Sequence, residues 1–181
     1  MAGARYCPRC GGLLVTRPGG GHEPARQVCT GCGRVHYRNA KPTGSALVVR
    51  NGRVLLVRRA IEPARGAWDI PGGFLEHDEH PEAGAVRELQ EETGLDIKVT
   101  GLLGIYLDVY PYGDPVDPDS TLNLVYLATA PEGEPRPADD ADAIGWFGPD
   151  ELPDNLAFAH LAAALADWRR VMEREAGACD G

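Results

Sequence analysis

Long hydrophobic runs are missing from this sequence of 181 residues. No stretch approaches the roughly eighteen consecutive apolar residues that a membrane-spanning helix needs, and the start, Met1 to Cys10, has arginines and cysteines where a signal peptide has an apolar region. We therefore expect a cytoplasmic protein without a membrane partner. Apolar residues still make up 43% of the chain, which suffices for the core of one medium domain, or of a small module followed by a domain of ordinary size.

Cysteine is scarce, with five residues in the chain, and disulfides are not expected because the cytosol keeps thiols reduced. Four of the five form two Cys-x-x-Cys pairs: Cys7 with Cys10, and Cys29 with Cys32. Eighteen residues separate the two pairs, which is typical of a zinc ribbon; the alternative is two unrelated, redox-active pairs. Four thiolates fill the coordination of zinc, so the predicted ion is structural. His22 and His36 could compete as ligands, although the four cysteines already complete the set.

Acidic residues are nearly absent from the first forty residues, which hold one acid and six Lys or Arg, a net charge of +5. Residues 41–181 hold twelve Lys or Arg and twenty-six acids, a net charge of −14. A basic module could contact nucleic acid. Zinc bound by four thiolates would lower its charge to about +3, however, and its aromatic residues are limited to Tyr6 and Tyr37. A nucleic-acid partner is therefore not expected.

Acidic side chains cluster where the chain passes from a loop into a short helix. Pro81 suits the first position of that helix, and Gly94 suits a left-handed stop after its last turn. Glu88, Glu91 and Glu92 follow the spacing i, i+3, i+4, which places three carboxylates on one face, about 5–6 Å apart at Cβ. Like charges this close destabilise a helix unless a cation lies among them. For these three glutamates alone a solvated helix face is the favoured interpretation, and a metal site becomes the prediction only with the residues around them.

The same segment matches a complete family signature, the Nudix box. Its positions are Gly73, Glu79, Arg87-Glu88-Leu89, Glu91-Glu92 and Gly94-Leu95. The chain thus resembles a Nudix hydrolase, over about residues 41–170. The resemblance implies an α/β/α sandwich with a mixed sheet, and a pyrophosphohydrolase that uses magnesium or manganese to cleave a nucleoside diphosphate linked to another moiety. It also implies metal ligands at Glu88, Glu91, Glu92 and the Gly72 carbonyl, and a structural pairing of Arg87 with Glu79.

Apolar, β-rich runs flank this helix, so the predicted fold class is α/β. The runs at residues 43–50 and 53–59 are joined by Asn51-Gly52, the strongest short hairpin signal. Further strands are predicted at residues 97–109, 122–129 and 144–147, and apolar residues at helical spacing predict a terminal helix over residues 155–175. We expect two domains, a zinc ribbon over residues 1–40 and a Nudix domain over residues 41–181.

The base that activates water is left open by the sequence. Glu88 or Glu91 on the helix could serve. A loop acid such as Asp140 or Asp142 is the alternative, because segments beside the box are where substrate contacts and a catalytic acid would have to come from.

The substrate is indicated by short resemblances outside the box. A ribbon before a Nudix domain resembles the NADH pyrophosphatases, but this chain has Ile105-Tyr106-Leu107-Asp108 where that group has Ser-Gln-Pro-Trp. Pro111, sixteen residues after Leu95, resembles the proline of ADP-ribose pyrophosphatases, and Tyr112 resembles the tyrosine of dinucleoside polyphosphate hydrolases. We expect ADP-ribose, cleaved to AMP and ribose 5-phosphate, with NADH or a dinucleoside polyphosphate as alternatives. The acidic body favours diphosphates over longer polyphosphates.

Aromatic side chains near the box could stack on a nucleobase, although aromatics close to strands more often belong to a core. The candidates are Trp68, Phe74, Tyr106 and Tyr110. A function of another class is a non-catalytic ligand sensor, or a binding module that uses the ribbon as its contact surface. Loss of the box acids would indicate that function, and all of them are present. A homodimer is compatible with either function.

Overall fold

The computed structural model describes residues 4–110, 119–130 and 133–178. The chain divides into two compact units, one formed by the residues up to Ala40 and the other beginning at Lys41. No helix in the described ranges is long and apolar enough to cross a membrane.

The first unit is a three-stranded antiparallel sheet. Its strands are β1 (Leu14–Arg17), β2 (Arg26–Cys29) and β3 (Val35–His36), in the order β1-β2-β3. The buried apolar cluster of this unit consists of Cys7, Leu14 and Cys29. Three side chains bury too little surface to stabilise a unit of about forty residues, so a metal ion bound by this unit would supply much of its folding free energy.

The second unit is built on a mixed seven-stranded sheet. The main strands are β4 (Lys41–Arg50), β5 (Arg53–Arg59), β8 (Lys98–Tyr110), β9 (Asp119–Thr129) and β10 (Ala141–Phe147), and two short ones are β6 (Trp68–Asp69) and β7 (Gly72–Phe74). The order of the main strands is β10-β5-β4-β9-β8, with β6 paired to β5 and β7 paired to β4. Strands β4 and β9 are parallel, whereas β4 pairs antiparallel with β5 and β7. The predicted mixed sheet is therefore confirmed.

The predicted hairpin joins β4 to β5. Val49 pairs with Val54 and Arg50 with Arg53, so the loop is the two residues Asn51 and Gly52. Both have positive φ, 51° and 71°, as a type I′ turn requires. The local sequence thus sets the register of the first two strands of this sheet.

Two helices cover the two faces of this sheet. Helix α1 (Pro81–Thr93) packs Ala85 and Leu89 against one face, and helix α2 (Ala159–Ala178) packs residues including Leu161 and Trp168 against the other. Side chains of the central strands alternate between the two cores: Ala46, Val48, Leu55 and Val57 face α1, while Leu47, Val54, Leu56 and Val125 face α2. This is the predicted α/β/α sandwich, and burial on both faces explains the almost continuous apolar runs.

The terminal helix begins later than predicted. Its first residue is Ala159, whereas the apolar spacing placed its start at residue 155. The preceding residues are held in extended form by β6, because Trp68 N–H donates to Asn155 O and Ala157 N–H donates to Trp68 O. Backbone pairing with a neighbouring strand therefore overrides the local helical pattern.

Candidate active site

Helix α1 starts and stops at the residues that the sequence indicates. The His80 side chain caps its beginning, where Nδ1 accepts a hydrogen bond from the Glu82 N–H at 3.3 Å. Gly94 ends it with φ of 69° and donates its N–H to Gln90 O at 2.8 Å. The helix start lies directly on β4, because a Cβ at Gly44 would be 2.6 Å from Pro81 O. These contacts fix the direction in which the glutamates of α1 project.

Arg87 joins the loop to the helix. Its Nε and Nη2 donate to the two carboxylate oxygens of Glu79 at 2.8 and 2.9 Å, and its Nη1 donates to Glu88 at 2.8 Å and to Glu91 at 3.1 Å. Nη2 also donates to Phe74 O at 3.3 Å. Hydrogen bonds from Arg87 lower the pKa of Glu79 to about 2. Burial, in contrast, raises the pKa of Glu88 even though Arg87 lies beside it.

Glu92 is a buried carboxylate that lacks a full set of hydrogen bonds. Glu92 is 8% exposed, and its Oε2 has no hydrogen-bond partner within the described part of the chain. Burial, followed by the nearby charges of Asp69 and Glu88, raises the pKa of Glu92 to about 8. An orphaned carboxylate oxygen beside two further acids suits a cation, because a buried charge needs a partner.

The backbone of β7 lies against these carboxylates. A Cβ on Gly73 would stand 2.5 Å from Glu88 Oε1, and one on Gly72 would stand 2.2 Å from Ser45 Oγ. Gly72 has no room for a side chain, since a Cβ there would also stand 2.5 Å from Gly44 O, and a side chain on Gly73 would displace the Glu88 carboxylate. We call the group formed by Asp69, Glu88 and Glu92 the acid corner. Glycine at positions 72 and 73 brings main-chain atoms to it, as the predicted Gly72 carbonyl ligand requires.

A cavity of about 320 Å³ opens beside this corner. Glu88, Glu92, Gly72 and Gly73 line it, together with Asp69 of β6. Glu91 does not line it: the Glu91 side chain is 49% exposed and hydrogen-bonds to Arg87. The structure thus brings Glu88, Glu92 and Gly72 together at the cavity and leaves Glu91 out of its lining.

Aromatic rings form another part of the cavity wall. Phe74 and Tyr110 meet edge to face at 5.5 Å between centroids, and Tyr110 lies 5.4 Å from Phe158. All three rings line the cavity. Two other stacking candidates lie elsewhere. Trp68 packs against Phe147 at 4.8 Å in the core under α2, and the Tyr106 hydroxyl donates to Asp167 of α2. These two aromatics are core residues because their positions in the strand alternation face α2.

The remaining predicted residues divide between the cavity and its surroundings. Asp140 lines the cavity, whereas Asp142 forms an ion pair with Arg58 at 2.6 Å and does not line it. Pro111 and Tyr112 lie outside the described residues. Of the two loop acids considered from the sequence, Asp140 is therefore the one that lines the cavity.

The sequence reasoning missed an ion pair in the cavity wall. Asp69 is 8% exposed, and Arg59 Nη1 lies 3.1 Å from its Oδ2. Burial raises the pKa of Asp69 to about 6 in spite of Arg59. Arg59 also donates to Pro63 O at 2.7 Å and lies 5.1 Å above the Phe158 ring. Asp69 lies in a short strand just before the box. A charged residue between the apolar Trp68 and Ile70 was the feature of the sequence that could have indicated it.

A second pair was also missed, Asp108 of β8 and His160 of α2. Asp108 Oδ2 lies 2.9 Å from His160 Nδ1 and accepts the His160 backbone N–H at 2.8 Å. Both residues line the cavity. They are 52 positions apart on different elements, so no spacing pattern in the sequence could join them.

The four cysteines of the first unit also come together. Their Sγ atoms all lie within 4.8 Å of one another, with Cys7 and Cys32 at 3.9 Å and Cys10 and Cys29 at 3.4 Å. Four sulfurs at about 2.3 Å from a zinc ion would be about 3.8 Å apart, so the cluster fits a tetrahedral zinc site. The backbone N–H groups of Gly31 and Cys32 donate to Cys29 Sγ, and the bond from Cys32 lowers the Cys29 pKa to about 6. His36 and His22 are not part of this cluster.

Similarity to known proteins agrees with this architecture. The NUDIX domain family matches residues 40–168, and the Nudix N-terminal zinc ribbon family matches residues 5–38. The chain is 37% identical over 114 residues to an ADP-ribose pyrophosphatase of Methanocaldococcus jannaschii, covering 63% of this chain and 64% of that protein. It is 30% identical over 165 residues to the NAD-capped RNA hydrolase NudC of Vibrio cholerae, covering 90% of this chain and 56% of that protein.

Neither relative is matched over two thirds of its own length. Among solved structures, a NUDIX hydrolase from Nitrosomonas europaea superposes with a TM-score of 0.77 at 29% identity, covering 94% of this chain and 91% of the other. The family match extends over more than half of the chain and contains the whole acid corner. The protein therefore belongs to the Nudix hydrolase family, in the form that carries an N-terminal zinc ribbon.

Proposed function

We propose that this protein is a divalent-metal-dependent hydrolase of nucleoside diphosphate derivatives, and that its preferred substrate is ADP-ribose, cleaved to AMP and ribose 5-phosphate. The observation that carries the proposal is the composition of one cavity, which has carboxylates for a metal ion in one part of its wall and aromatic rings for a nucleobase in another. A nucleoside diphosphate needs both kinds of contact.

Glu88, Glu92 and the Gly72 carbonyl would hold magnesium or manganese, and Glu91 would supply a further carboxylate. The orphaned Oε2 of Glu92 and the approach of β7 to Glu88 fit an oxygen-binding ion of this kind. When bound, such an ion neutralises charge on the diphosphate and lowers the pKa of a water molecule. Zinc in the four-cysteine cluster would be structural.

The side chains of the chain itself have separate tasks in this reaction. Arg87 holds Glu88 and Glu91 in place through its hydrogen bonds and ties both to Glu79. Phe74 and Tyr110 stack on the adenine, which keeps the diphosphate beside the acid corner.

Asp140 takes the proton of the attacking water. The water oxygen forms a bond to one phosphorus, the bond from that phosphorus to the bridging oxygen breaks, and the electron pair leaves on the bridging oxygen of the departing phosphate. Water thereby supplies the added oxygen and both protons, so the reaction consumes no other reactant.

Asp140→Asn tests the base. It should lower kcat by about 10²–10⁴-fold, the usual contribution of a positioned base. Asp142→Asn is the matched comparison, since Asp142 pairs with Arg58 outside the cavity lining, and its kcat should stay within about twofold. Equal losses in the two variants would remove Asp140 from this role.

ADP-ribose is favoured over other substrates by two observations. The Methanocaldococcus relative is an ADP-ribose pyrophosphatase, and this chain lacks the Ser-Gln-Pro-Trp stretch of the NADH pyrophosphatases. The second candidate is an NAD-linked substrate, as NADH or as the cap of an RNA. The Vibrio alignment favours it, because that alignment covers 90% of this chain.

The deciding experiment compares kcat/KM for ADP-ribose, NADH and a diadenosine polyphosphate at one magnesium concentration, with the products identified. ADP-ribose should be preferred. The ratio of kcat/KM values between two substrates should be modest, because one small difference in pocket contacts changes it by only about 10–200-fold. Glu92→Gln, purified in parallel, shows whether any turnover comes from a contaminating enzyme. A preference for NADH or the polyphosphate overturns the choice of substrate, and no turnover of any diphosphate favours the ligand-sensor function.

A further inference from the structure

The described part of the cavity wall carries a strong excess of negative charge. Its acids are Asp69, Glu76, Glu88, Glu92, Asp108, Asp139 and Asp140. The basic residues of this wall are Arg59 and His160. Arg59 is already engaged by Asp69 at 3.1 Å and by Pro63 O at 2.7 Å. A substrate that carries a diphosphate needs more positive charge than one engaged arginine offers, and a metal ion supplies part of it.

The His160 ring is held in one orientation by contacts on two sides. Asp108 Oδ2 lies 2.9 Å from Nδ1, and the ring stacks on Phe158 with centroids 6.1 Å apart and an interplanar angle of 18°. The side chain of His160 is 8% exposed. Because Nδ1 is engaged by Asp108, Nε2 is the ring nitrogen left to bind a ligand; within the described residues it has no partner.

His160 shares the wall of one cavity with the acid corner. The cavity is lined by His160 together with Asp69, Glu88 and Glu92. His160 therefore faces the same space as the residues that would hold the metal ion. It also stands next to the aromatic wall through its contact with Phe158. A group in this position can reach a phosphate that lies between the metal ion and the nucleobase.

We propose that His160 is a substrate-binding residue, which donates a hydrogen bond from Nε2 to the diphosphate of the nucleotide while Asp108 holds its ring. The proposal rests on the proposed function, because it deepens the recognition of the same substrate class. It assigns Asp108 a positioning role through the Nδ1 contact. It also explains why an acidic cavity has a histidine where the chain enters α2.

A purely structural role for this pair predicts something different. Asp108 also accepts the backbone N–H of His160, near the N-terminus of α2, and this contact alone stabilises the helix. The backbone contact does not depend on the side chain of His160, so it is available in variants with Asn or Gln at this position. Side-chain variants of His160 therefore separate the effect of the imidazole ring from the effect of the backbone hydrogen bond to Asp108.

Two variants of His160 each keep a nitrogen at one of the two ring-nitrogen positions. In His160→Asn the amide nitrogen corresponds to Nδ1 and keeps the contact with Asp108, and in His160→Gln it corresponds to Nε2. We expect H160N to raise KM for ADP-ribose about 10- to 100-fold, with kcat within about threefold, since a hydrogen bond to a charged group is lost. H160Q should recover at least half of that loss on a logarithmic scale. His22→Asn, an exposed histidine of the first unit, is the matched control and should match the wild type.

Binding is measured separately with α,β-methylene-ADP, a nucleoside diphosphate whose bridge is not hydrolysed, by calorimetry in magnesium buffer. Wild type should bind it, and H160N should bind it about 10-fold or more weakly. A KM and an affinity of H160N within twofold of wild type overturn the proposal. So do equal losses in H160N and H160Q, which would indicate ring packing, and failure of the wild type to bind the probe. Binding that depends on His160 without hydrolysis of any diphosphate supports this inference and overturns the proposed function instead.

Discussion

At the scale of single residues, the burial of a carboxyl group on α1 sets how that group responds to pH. Glu92 is held in the protein interior beside Asp69 and Glu88, and burial raises its pKa to about 8. A carboxylate with a raised pKa is stabilised in its protonated form, so the metal-free protein gains stability as the pH falls below about 8 and loses it as the pH rises through that value. A cation bound to Glu92 would offset the loss of stability that ionisation of this carboxylate causes.

Glu92→Gln keeps the shape of the side chain and removes its charge. Hydrolysis should fall by roughly 10²-fold or more, because one metal-binding carboxylate is lost. The metal-free variant should be as stable as the wild type or more stable above about pH 8, where Glu92 is ionised. Steady-state kinetics and thermal unfolding in EDTA measure the two effects. Normal turnover at saturating magnesium would contradict the metal-binding role.

Glu79 shows the opposite behaviour. Hydrogen bonds from Arg87 lower the Glu79 pKa from its usual 4.5 to about 2, so the pair contributes stability above about pH 4.5 that is lost as the pH falls toward 2. Thermal unfolding of metal-free protein between about pH 6 and pH 3 should show a smaller acid loss in Glu79→Gln than in the wild type. Glu82→Gln, on an exposed side chain of α1, is the control. An acid loss unchanged in the Glu79 variant would be inconsistent with this coupling.

At the scale of structural elements, the two units differ in the size of their buried cores, and the first has four cysteines that suit a metal ion. The first has a buried cluster of three side chains, whereas the sheet of the second is covered on both faces by α1 and α2. The four thiolates of the first unit leave no open coordination position for a substrate. Folding of the first unit and catalysis by the second should therefore respond to different substitutions.

Cys7→Ser removes one thiolate from the cluster. Residues 4–40 should lose their structure, while hydrolysis by the second unit stays measurable. Amide hydrogen exchange measures the first effect and turnover of ADP-ribose the second. Cys179→Ser, a change of the same kind outside the described residues, should alter neither. A Cys7 variant that stays folded but loses all turnover would place the cluster in the active site or in a required dimer.

At the scale of the whole molecule, the chain brings together two sets of side chains that suit metal ions of different kinds. Soft thiolates make up one set, and hard oxygen donors beside an open cavity make up the other. Zinc bound by four thiolates dissociates slowly and with a large free energy, whereas magnesium keeps several waters and exchanges readily. Mild chelation should therefore remove magnesium and leave zinc bound.

Brief dialysis against EDTA should abolish hydrolysis, and magnesium or manganese should restore it. About one equivalent of zinc per chain should remain throughout, by elemental analysis. Less than roughly a tenth of an equivalent, in protein made with ample zinc, would rule out the zinc ribbon. Activity that returned with zinc but with neither magnesium nor manganese would assign zinc to catalysis.

Local patterns in the sequence determined the features that depend on residues close together in the chain. The i, i+3, i+4 spacing of Glu88, Glu91 and Glu92 places them on one helical face, and Pro81 and Gly94 mark the ends of that helix. The Asn51-Gly52 turn sets the register of its hairpin. The cysteine spacing indicated a shared metal site for the same reason, because tight turns bring each pair together.

The tertiary structure alone decided which distant residues share the cavity. Asp69 with Arg59 and Asp108 with His160 come from different elements, so their pairing depends on strand order and on the docking of α2. It also decided that Phe158 faces the cavity and that Trp68 faces the core. Helices cover both faces of this sheet, so each central strand is apolar on both sides, and alternation in the sequence cannot tell one face from the other.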